Sequence, residues 1–292
     1  VKKVYVIYNP ISGKGLSCKK AVAISEYFLN SSYDVELIQT QSGSPQQWLE
    51  PRLAGSPEAL IVIGGDGTLR QVASVAKKTP VALYHVAGGT ENLFAHSMGM
   101  SNSPARVFDC VSSNAQRLID SATANSQFML LMTSVGFDAQ VAADLAKNRG
   151  GSITHLSYVM PIIRQIFNWN VPVISIDVDG KKIIEGEKGW CIVANSKAYA
   201  CGLNPARNAL IDDGKLDVLF LPITGRLSLL KWIRLMKLGT HMHHPCAVST
   251  TGSSIVVRTS ELMPWQIDGD VAEDTQDMTV CCVPESIRVF DA

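Results

Sequence analysis

The run Gly64-Gly65-Asp66-Gly67-Thr68 brings together residue types suited to handling phosphate. Glycines let backbone N–H groups approach phosphate oxygens with no Cβ in the way. The apolar run Ala59–Ile63 precedes them, and Leu69, Val72, Ala73 and Ala76 follow at the spacing of one helical face. A helix starting there adds partial positive charge at its N-terminus. Asp66 repels phosphate, so its natural role is to hold Mg²⁺, directly or through water. The plain structural alternative is a tight turn in which Asp66 caps the helix. Two further loops weigh against that alternative. Asn9-Pro10-Ile11-Ser12-Gly13-Lys14-Gly15 offers small residues, backbone donors and one lysine, although it does not fit the GxxxxGK[ST] pattern. Gly88-Gly89-Thr90-Glu91-Asn92 forms a third loop after another apolar run.

These loops need elements to hold them. Val4–Tyr8, Val35–Ile38, Ala59–Ile63 and Val81–Tyr84 read as short buried strands. The stretch with Ala21, Ile24 and Phe28 on one face, and the one from Leu69 to Ala76, read as helices between them. Strand–helix alternation with glycine loops after the strands predicts a parallel sheet with flanking helices. All three loops then lie along its carboxyl edge, where ligands bind. From about residue 123 the rhythm changes. Phe128–Met132, Val173–Val178, Gly189–Ala194, Leu216–Leu221 and Ser254–Arg258 are strand-like, and Asp179-Gly180 marks a tight hairpin. Helical stretches near 153–167 and 226–238 interrupt a mostly antiparallel second domain. The expected division is residues 1–122 and 123–292, with the last strand, Ile287–Phe290, open to either domain.

Composition narrows the function. Lysine plus arginine total 26 against 26 aspartate plus glutamate, so no global field draws the chain to nucleic acid. There is no basic stripe with interleaved aromatics, and no nucleic-acid partner is expected. The seven cysteines show no CxxC and no zinc-type spacing, which fits a reducing compartment. No apolar stretch approaches the roughly 20 residues of a membrane span, and the first residues lack a signal-peptide core. A cytoplasmic protein with peripheral membrane contact at most is the expectation.

Together NPxSG (Asn9–Gly13), GGDGT (Gly64–Thr68) and GGTEN (Gly88–Asn92), in this order, resemble the diacylglycerol kinase catalytic-domain family. Within it the chain is most similar to the soluble bacterial lipid kinases, over nearly its whole length. Gly136-Phe137-Asp138-Ala139, Ala194-Asn195-Ser196, Asp213–Asp217 and Ile267-Asp268-Gly269-Asp270 extend the likeness. The resemblance implies an ATP-binding α/β domain like that of phosphofructokinases and NAD kinases, then a β-sandwich domain for a lipid alcohol, with the active site in the cleft between. It places ATP against Asn9, Thr40, Gly64, Gly65, Asp66, Gly67, Thr68 and Thr90, with Lys14, Gly89, Glu91 and Asn92 nearby. A structural Mg²⁺ would be held by the Asp213 carboxylate and the carbonyls of Leu210 and Lys215, an all-oxygen set. From spacing alone that stretch reads as an Asp-Gly turn.

At the last motif the chain departs from the family. The pattern there is Asp-Gly-Glu, its glutamate being the general base toward the lipid hydroxyl; here Asp270 stands in that place. The carboxylate is kept on a side chain one methylene shorter, so either the backbone compensates, or activity is reduced, or Asp268 or Asp66 shares the task. The rival readings are a kinase of a soluble substrate related to NAD kinases, and a nucleotide- or lipid-binding regulator with weakened catalysis. A homodimer is left open. In 226–238, Leu229, Trp232, Ile233 and Met236 share one face and Arg226, Lys231, Arg234 and Lys237 another. Packing of the apolar face on the second domain is favoured over contact with a membrane interface.

Overall fold

Strand β1 (Lys3–Tyr8) leads through a turn into α1 (Leu16–Asn30), then β2 (Asp34–Gln39), the short helices α2 (Pro45–Trp48) and α3 (Glu50–Leu53), and β3 (Ala59–Gly64). Helix α4 (Asp66–Ala76), β4 (Ala82–Ala87), α5 (Leu93–Ser97), α6 (Pro104–Ser113) and β5 (Gln116–Ala124) follow. The computed structural model describes residues 2–77, 79–147 and 155–292. Two compact units result, one comprising Val1–Ile119 with Glu285–Ala292 and the other Asp120–Pro284.

In the first unit β1 pairs in parallel with both β2 and β3, and β3 with β4. Every residue of β3 and of β4 is buried, as expected of strands covered on both faces. Helix α1 turns Ala21, Ile24 and Phe28 inward, the face its spacing predicts. The strand order β2-β1-β3-β4 reverses direction between β1 and β3. Loops leaving the carboxyl ends of those two strands therefore diverge, and such a switch point opens a crevice for a ligand.

The second unit holds β6 (Gln127–Met129), β7 (Met132–Val135), α7 (Phe137–Lys147), α8 (Val159–Asn168), β8 (Val173–Val178) and β9 (Lys181–Ala194). They are followed by β10 (Leu216–Pro222), α9 (Arg226–Leu238), β11 (Val248–Gly252), β12 (Ser254–Ile267) and β13 (Asp270–Phe290), whose residues from Glu285 on belong to the first unit. Pairing is antiparallel along β11-β10-β9-β7-β12-β13, with β8 against β9 and β12. Asp179 and Gly180 take φ of 48° and 77°, the two positive values that a two-residue turn between β8 and β9 needs. The apolar run Phe128–Met132 is split between β6 and β7. Strands β12 and β13 extend well beyond the apolar segments that announce them: the added length of β12 runs through exposed residues 260–262 to buried Met263, Trp265, Gln266 and Ile267, and that of β13 is mostly exposed and polar. Residues 153 and 154 of the helix expected near 153–167 lie outside the described residues.

Helix α9 settles how its faces are used. Leu229, Trp232 and Met236 are buried, and Trp232 Nε1 donates to the Pro222 carbonyl at 2.7 Å. The tryptophan therefore anchors α9 to its own unit and is not the membrane anchor that the sequence alone allowed. The helix begins where Ser228 Oγ accepts from the N–H groups of Thr224 and Gly225, and it ends at Gly239 in the left-handed conformation. Truncating so large a buried side chain is expected to cost about 3–5 kcal/mol. Urea denaturation of Trp232→Ala checks this, and an unchanged midpoint would contradict the packing described.

Candidate functional site

The three glycine loops of the first unit meet. Asn9 Nδ2 donates to Thr68 Oγ1 at 3.2 Å, tying the loop after β1 to the start of α4. Asn9 Oδ1 accepts from Ile11 N–H at 3.1 Å, so both ends of the amide are used in shaping this crevice. Gly88 N–H donates to the Gly64 carbonyl at 2.8 Å. A Cβ on Gly89 would lie 2.5 Å from the Gly65 Cα, and one on Gly88 would lie 2.6 Å from Ser17 Oγ and 3.1 Å from the Gly64 Cα. Only glycine permits this approach of two backbones. The glycines also keep side chains out of the place where the two loops meet, as a backbone cradle for polyphosphate requires.

Two side chains clamp the cradle. Asp66 opens α4, but its carboxylate caps a different helix: Oδ2 accepts from Leu93 N–H at 2.9 Å and Oδ1 from Phe94 N–H at 3.0 Å. The capping expected of Asp66 is thus real, yet directed across the gap to α5 rather than to its own helix. Each oxygen keeps a further lone pair for a metal-bound water or a cation. Asn92, at φ 50°, accepts on Oδ1 from the N–H groups of Gly88 and Gly89 at 3.1 and 2.6 Å, and donates from Nδ2 to the Gly89 carbonyl at 2.9 Å. It is a positioning residue, buried beneath its loop, whereas Thr90 is exposed.

Two other expected contacts, Lys14 and Thr40, lie on the loops after β1 and β2. Lys14 sits between Gly13 and Gly15, all three with positive φ, and is exposed. Thr40 lies just past β2, in a hollow of about 310 Å³ lined by Glu36–Gln41 and Arg52 and by none of the glycine loops.

Sequence reasoning missed Lys20 and His85. Lys20 reaches from α1 to donate Nζ–H to the Ala87 carbonyl at 2.5 Å, bringing a cation to the base of the third loop. Burial lowers its pKa. His85, on β4, is wholly buried and its Nε2 lies 3.0 Å from the Gly64 carbonyl. Burial lowers its pKa, against the raising effects of Asp66 and of the Gly64 bond. The ring is therefore neutral, and because a carbonyl only accepts, Nε2 carries the proton. Neither residue lies in a glycine motif, and only the fold brings them beneath one.

In the second unit the chain reverses at Asp268 and Gly269, with φ of 51° and 86°. Asp268 Oδ1 accepts from Leu131 and Met132 N–H at 2.7 and 2.9 Å, and Oδ2 from Leu130 N–H at 2.8 Å. Asn195 grips the same segment from the other side, through Nδ2 to the Leu130 carbonyl and N–H to the Leu131 carbonyl. Asp268 thus fixes the turn and is not the loosely solvated group an acidic turn suggests. Asp270, two residues on, is exposed. Asp138 collects four donors: Ser134 Oγ, Tyr199 Oη, Trp190 Nε1 and its neighbour's N–H. Burial pushes its carboxyl up while those donors pull it down.

The 210–216 loop is held from β5, where Asp120 Oδ2 accepts from Gly214 N–H at 2.6 Å and Asp120 N–H donates to the Ile211 carbonyl at 2.7 Å. Asp213 Oδ1 accepts from Lys215 N–H at 3.0 Å. Asp217, buried at the start of β10, has its pKa raised to about 6 by burial and then by the charge of Asp213. Asp120, Asp213 and Asp217 bring negative charge to a loop whose one basic residue is Lys215, a surplus that suits a divalent ion. Among the described residues no group of three His, Cys, Asp or Glu forms a metal site. An ion here would depend on carbonyls as well as Asp213.

The family model for the diacylglycerol kinase catalytic domain matches residues 3–124, and that for the YegS C-terminal NAD kinase beta sandwich-like domain matches residues 132–291. The chain belongs to the diacylglycerol kinase family. A diacylglycerol kinase of Bacillus subtilis is 21% identical over 276 residues, spanning 92% of this chain and 90% of its own. One from Mycobacterium tuberculosis H37Rv is 24% identical over 299 residues, covering 100% of this chain and 94% of its own. The crystal structure of a diacylglycerol kinase from Bacillus anthracis superposes with a TM-score of 0.77 at 22% identity, over 100% of this chain and 97% of that one. At that identity the likeness speaks for the fold. The second model also bears out the β-sandwich character expected of the C-terminal domain.

Two outcomes check this description of the family's loops. Asn92→Ala strips three hydrogen bonds from Gly88 and Gly89 and is expected to cost about 1–3 kcal/mol, with a raised KM for ATP. Accelerated amide exchange at Gly88 and Gly89 is the direct readout, and unchanged exchange would contradict the clamp. For His85 the sign follows from its lowered folded pKa. Below its ordinary value of 6.5 the unfolded chain binds the extra proton, so stability present above that value is lost as pH falls. Denaturation on either side of it should show a smaller loss in His85→Gln, while buried His241 in the second unit, also lowered by burial, retains its own share.

Proposed function

We propose that the protein transfers the γ-phosphoryl group of ATP to the hydroxyl of a lipid such as diacylglycerol. The observation that carries this reading is the convergence of three glycine loops at the carboxyl ends of β1, β3 and β4, with backbones too close for any Cβ. Membership of a family of lipid kinases supplies the acceptor class. Phosphoryl transfer depends mainly on positioning and on neutralising phosphate charge. Gly64, Gly65 and Gly67, with the hydroxyls of Thr68 and Thr90, would line the phosphates, while Gly89, whose N–H is taken by Asn92, keeps a side chain out of the way. Asn9 and Thr40 complete the nucleotide contacts, and Lys14 and Lys20 contribute cations. Glu91 takes no assigned part beyond its place in the loop.

Mg²⁺, when bound, would neutralise phosphate charge. Asp66 would hold it, through the lone pairs its α5 cap leaves over. A second, structural Mg²⁺ would be held by Asp213 with the carbonyls of Leu210 and Lys215, beside the anionic Asp217. The reading gives Asp270 the task of accepting the proton from the lipid hydroxyl. Asp268, whose oxygens already take three N–H groups, holds the turn in place. No helix among the described residues is long and apolar enough to cross a membrane. A lipid substrate nonetheless requires peripheral contact, which we assign to the inner face of the membrane, reached from the cytoplasm.

Radiolabel transfer from ATP to diacylglycerol, to other lipid alcohols and to NAD tests this reading. Label on a lipid alcohol is expected. Loss of a general base typically costs 10²–10⁴-fold, so Asp270→Asn should fall by roughly that factor. Asp270→Glu, which restores the family's glutamate, should retain turnover, and Asp66→Ala should lose it. Label on NAD alone, or full turnover in Asp270→Asn, would overturn the assignment.

A further inference from the structure

Gln266 stands just before the Ile267–Asp270 motif and in none of the glycine loops, yet its side chain is buried, only 3% exposed. A buried amide needs partners at both ends. Its Oε1 accepts from Gly269 N–H at 2.7 Å, on the turn that leads into Asp270, and its Nε2 donates to Ser134 Oγ at 2.9 Å. Ser134 faces Gln266 across the antiparallel pair of β7 and β12 and is buried as well. Its hydroxyl donates in turn to Asp138 Oδ2 at 2.6 Å. A continuous row of hydrogen bonds therefore runs from Asp138 on α7 to the backbone N–H that precedes Asp270.

The carboxylate at the far end sets the direction of every bond in the row. Trp190 Nε1 and Ala139 N–H can only donate, and both point at Asp138 Oδ1. An ionised carboxylate accepts at both oxygens, so Ser134 spends its one proton on Oδ2 and keeps only lone pairs for Gln266. Gln266 must then turn its NH₂ group toward Ser134, which leaves its carbonyl oxygen for Gly269. Reversing the amide would set two donors together at Gly269 and two acceptors together at Ser134, a costly mismatch in a buried site.

The turn served by this row has little freedom to spare. Asp268 and Gly269 both take positive φ, and the Asp268 carboxylate already ties the first half of the turn to Leu130–Met132. Asp270 carries one methylene fewer than the family's glutamate and so has one torsion fewer with which to search. The place of its carboxylate is set correspondingly more by the backbone. We propose that Asp138, Ser134 and Gln266 act as positioning residues, a relay that fixes the backbone at Gly269 and thereby aims Asp270 at the acceptor hydroxyl. The proposal rests on the reading of Asp270 as the general base, and it gives compensation for the missing methylene a physical carrier.

The test reads the turn and the chemistry separately, on the full chain. Ser134→Ala leaves Gln266 and Gly269 in place, so a shifted and faster-exchanging Gly269 amide in NMR spectra is expected only if the relay acts. Tyr199→Phe removes a different donor from the same Asp138 oxygen and leaves the row unbroken, so its Gly269 signal should stay at the wild-type position. An unchanged Gly269 amide in Ser134→Ala, or an equal displacement in Tyr199→Phe, would overturn the proposal. In turnover of a lipid alcohol, Gln266→Met should lower kcat by roughly ten- to a hundredfold, as displacement of a catalytic group does, with KM for ATP unchanged. Adding Ser134→Ala to it should lower kcat no further, because both substitutions break one row. Adding Asp270→Glu should recover part of the loss, since the longer side chain can reach from a looser turn. Additive losses without recovery would mean general damage and would also overturn the relay. A wild type that phosphorylates no lipid alcohol, with the Gly269 responses as expected, would remove the kinase reading and leave the relay to the turn standing.

Discussion

The close approach of Gly64–Gly65 to Gly88–Gly89 is the constraint around which the first unit is arranged. Two strand ends are brought so near that a single methyl group on Gly89 would meet the Gly65 Cα at 2.5 Å. Nothing in an isolated glycine loop enforces such proximity. It is enforced by the parallel pairing of β3 with β4, by the Gly88–Gly64 hydrogen bond, and by Asp66 and Asn92. Both clamps satisfy backbone N–H groups that would otherwise be left unpaired where the chain packs tightly. Stability and binding chemistry are consequently hard to separate here, because the groups that hold the loops also shape the backbone that a phosphate would meet.

The second unit solves a related problem with carboxylates. Leu130–Met132 crosses from β6 to β7 and is gripped by Asp268 on its N–H side and by Asn195 on its carbonyl side. Side chains from two distant motifs thus converge on one short stretch of backbone. This gives Asp268 and Asp270 different work despite their near-identical surroundings in sequence: one is consumed in structure, the other is exposed. The same division appears in α9, where Trp232 is spent on packing and the opposite face stays exposed. Long charged side chains can coexist with exposed leucines there because their charged heads stay hydrated while their stems lie on apolar surface.

Much of this was legible in the residues themselves. Glycine and aspartate types, apolar runs and helical spacing mark the strands, the three loops and the parallel first domain, since buried strands and turn chemistry leave local signatures. The Asp179-Gly180 turn was equally plain, for few residue pairs accept two positive φ values. The full lengths of β12 and β13 were not, because exposed residues 260–262 interrupt β12 and the mostly polar, exposed first half of β13 gives no such signature.

What the sequence by itself determined is the inventory: which loops could carry phosphate, which carboxylates could serve, and the family the motifs belong to. Tertiary structure decided how each was used. Asp66 caps α5 instead of α4, Lys20 and His85 come to lie at the glycine loops, and Asp268 is taken up by three N–H groups. Each of these depends on contacts between residues far apart along the chain. Local pattern specifies conformation over a few residues, whereas the partner of a given carboxylate or cation is set only when strands pair and bring distant backbone groups within hydrogen-bonding reach.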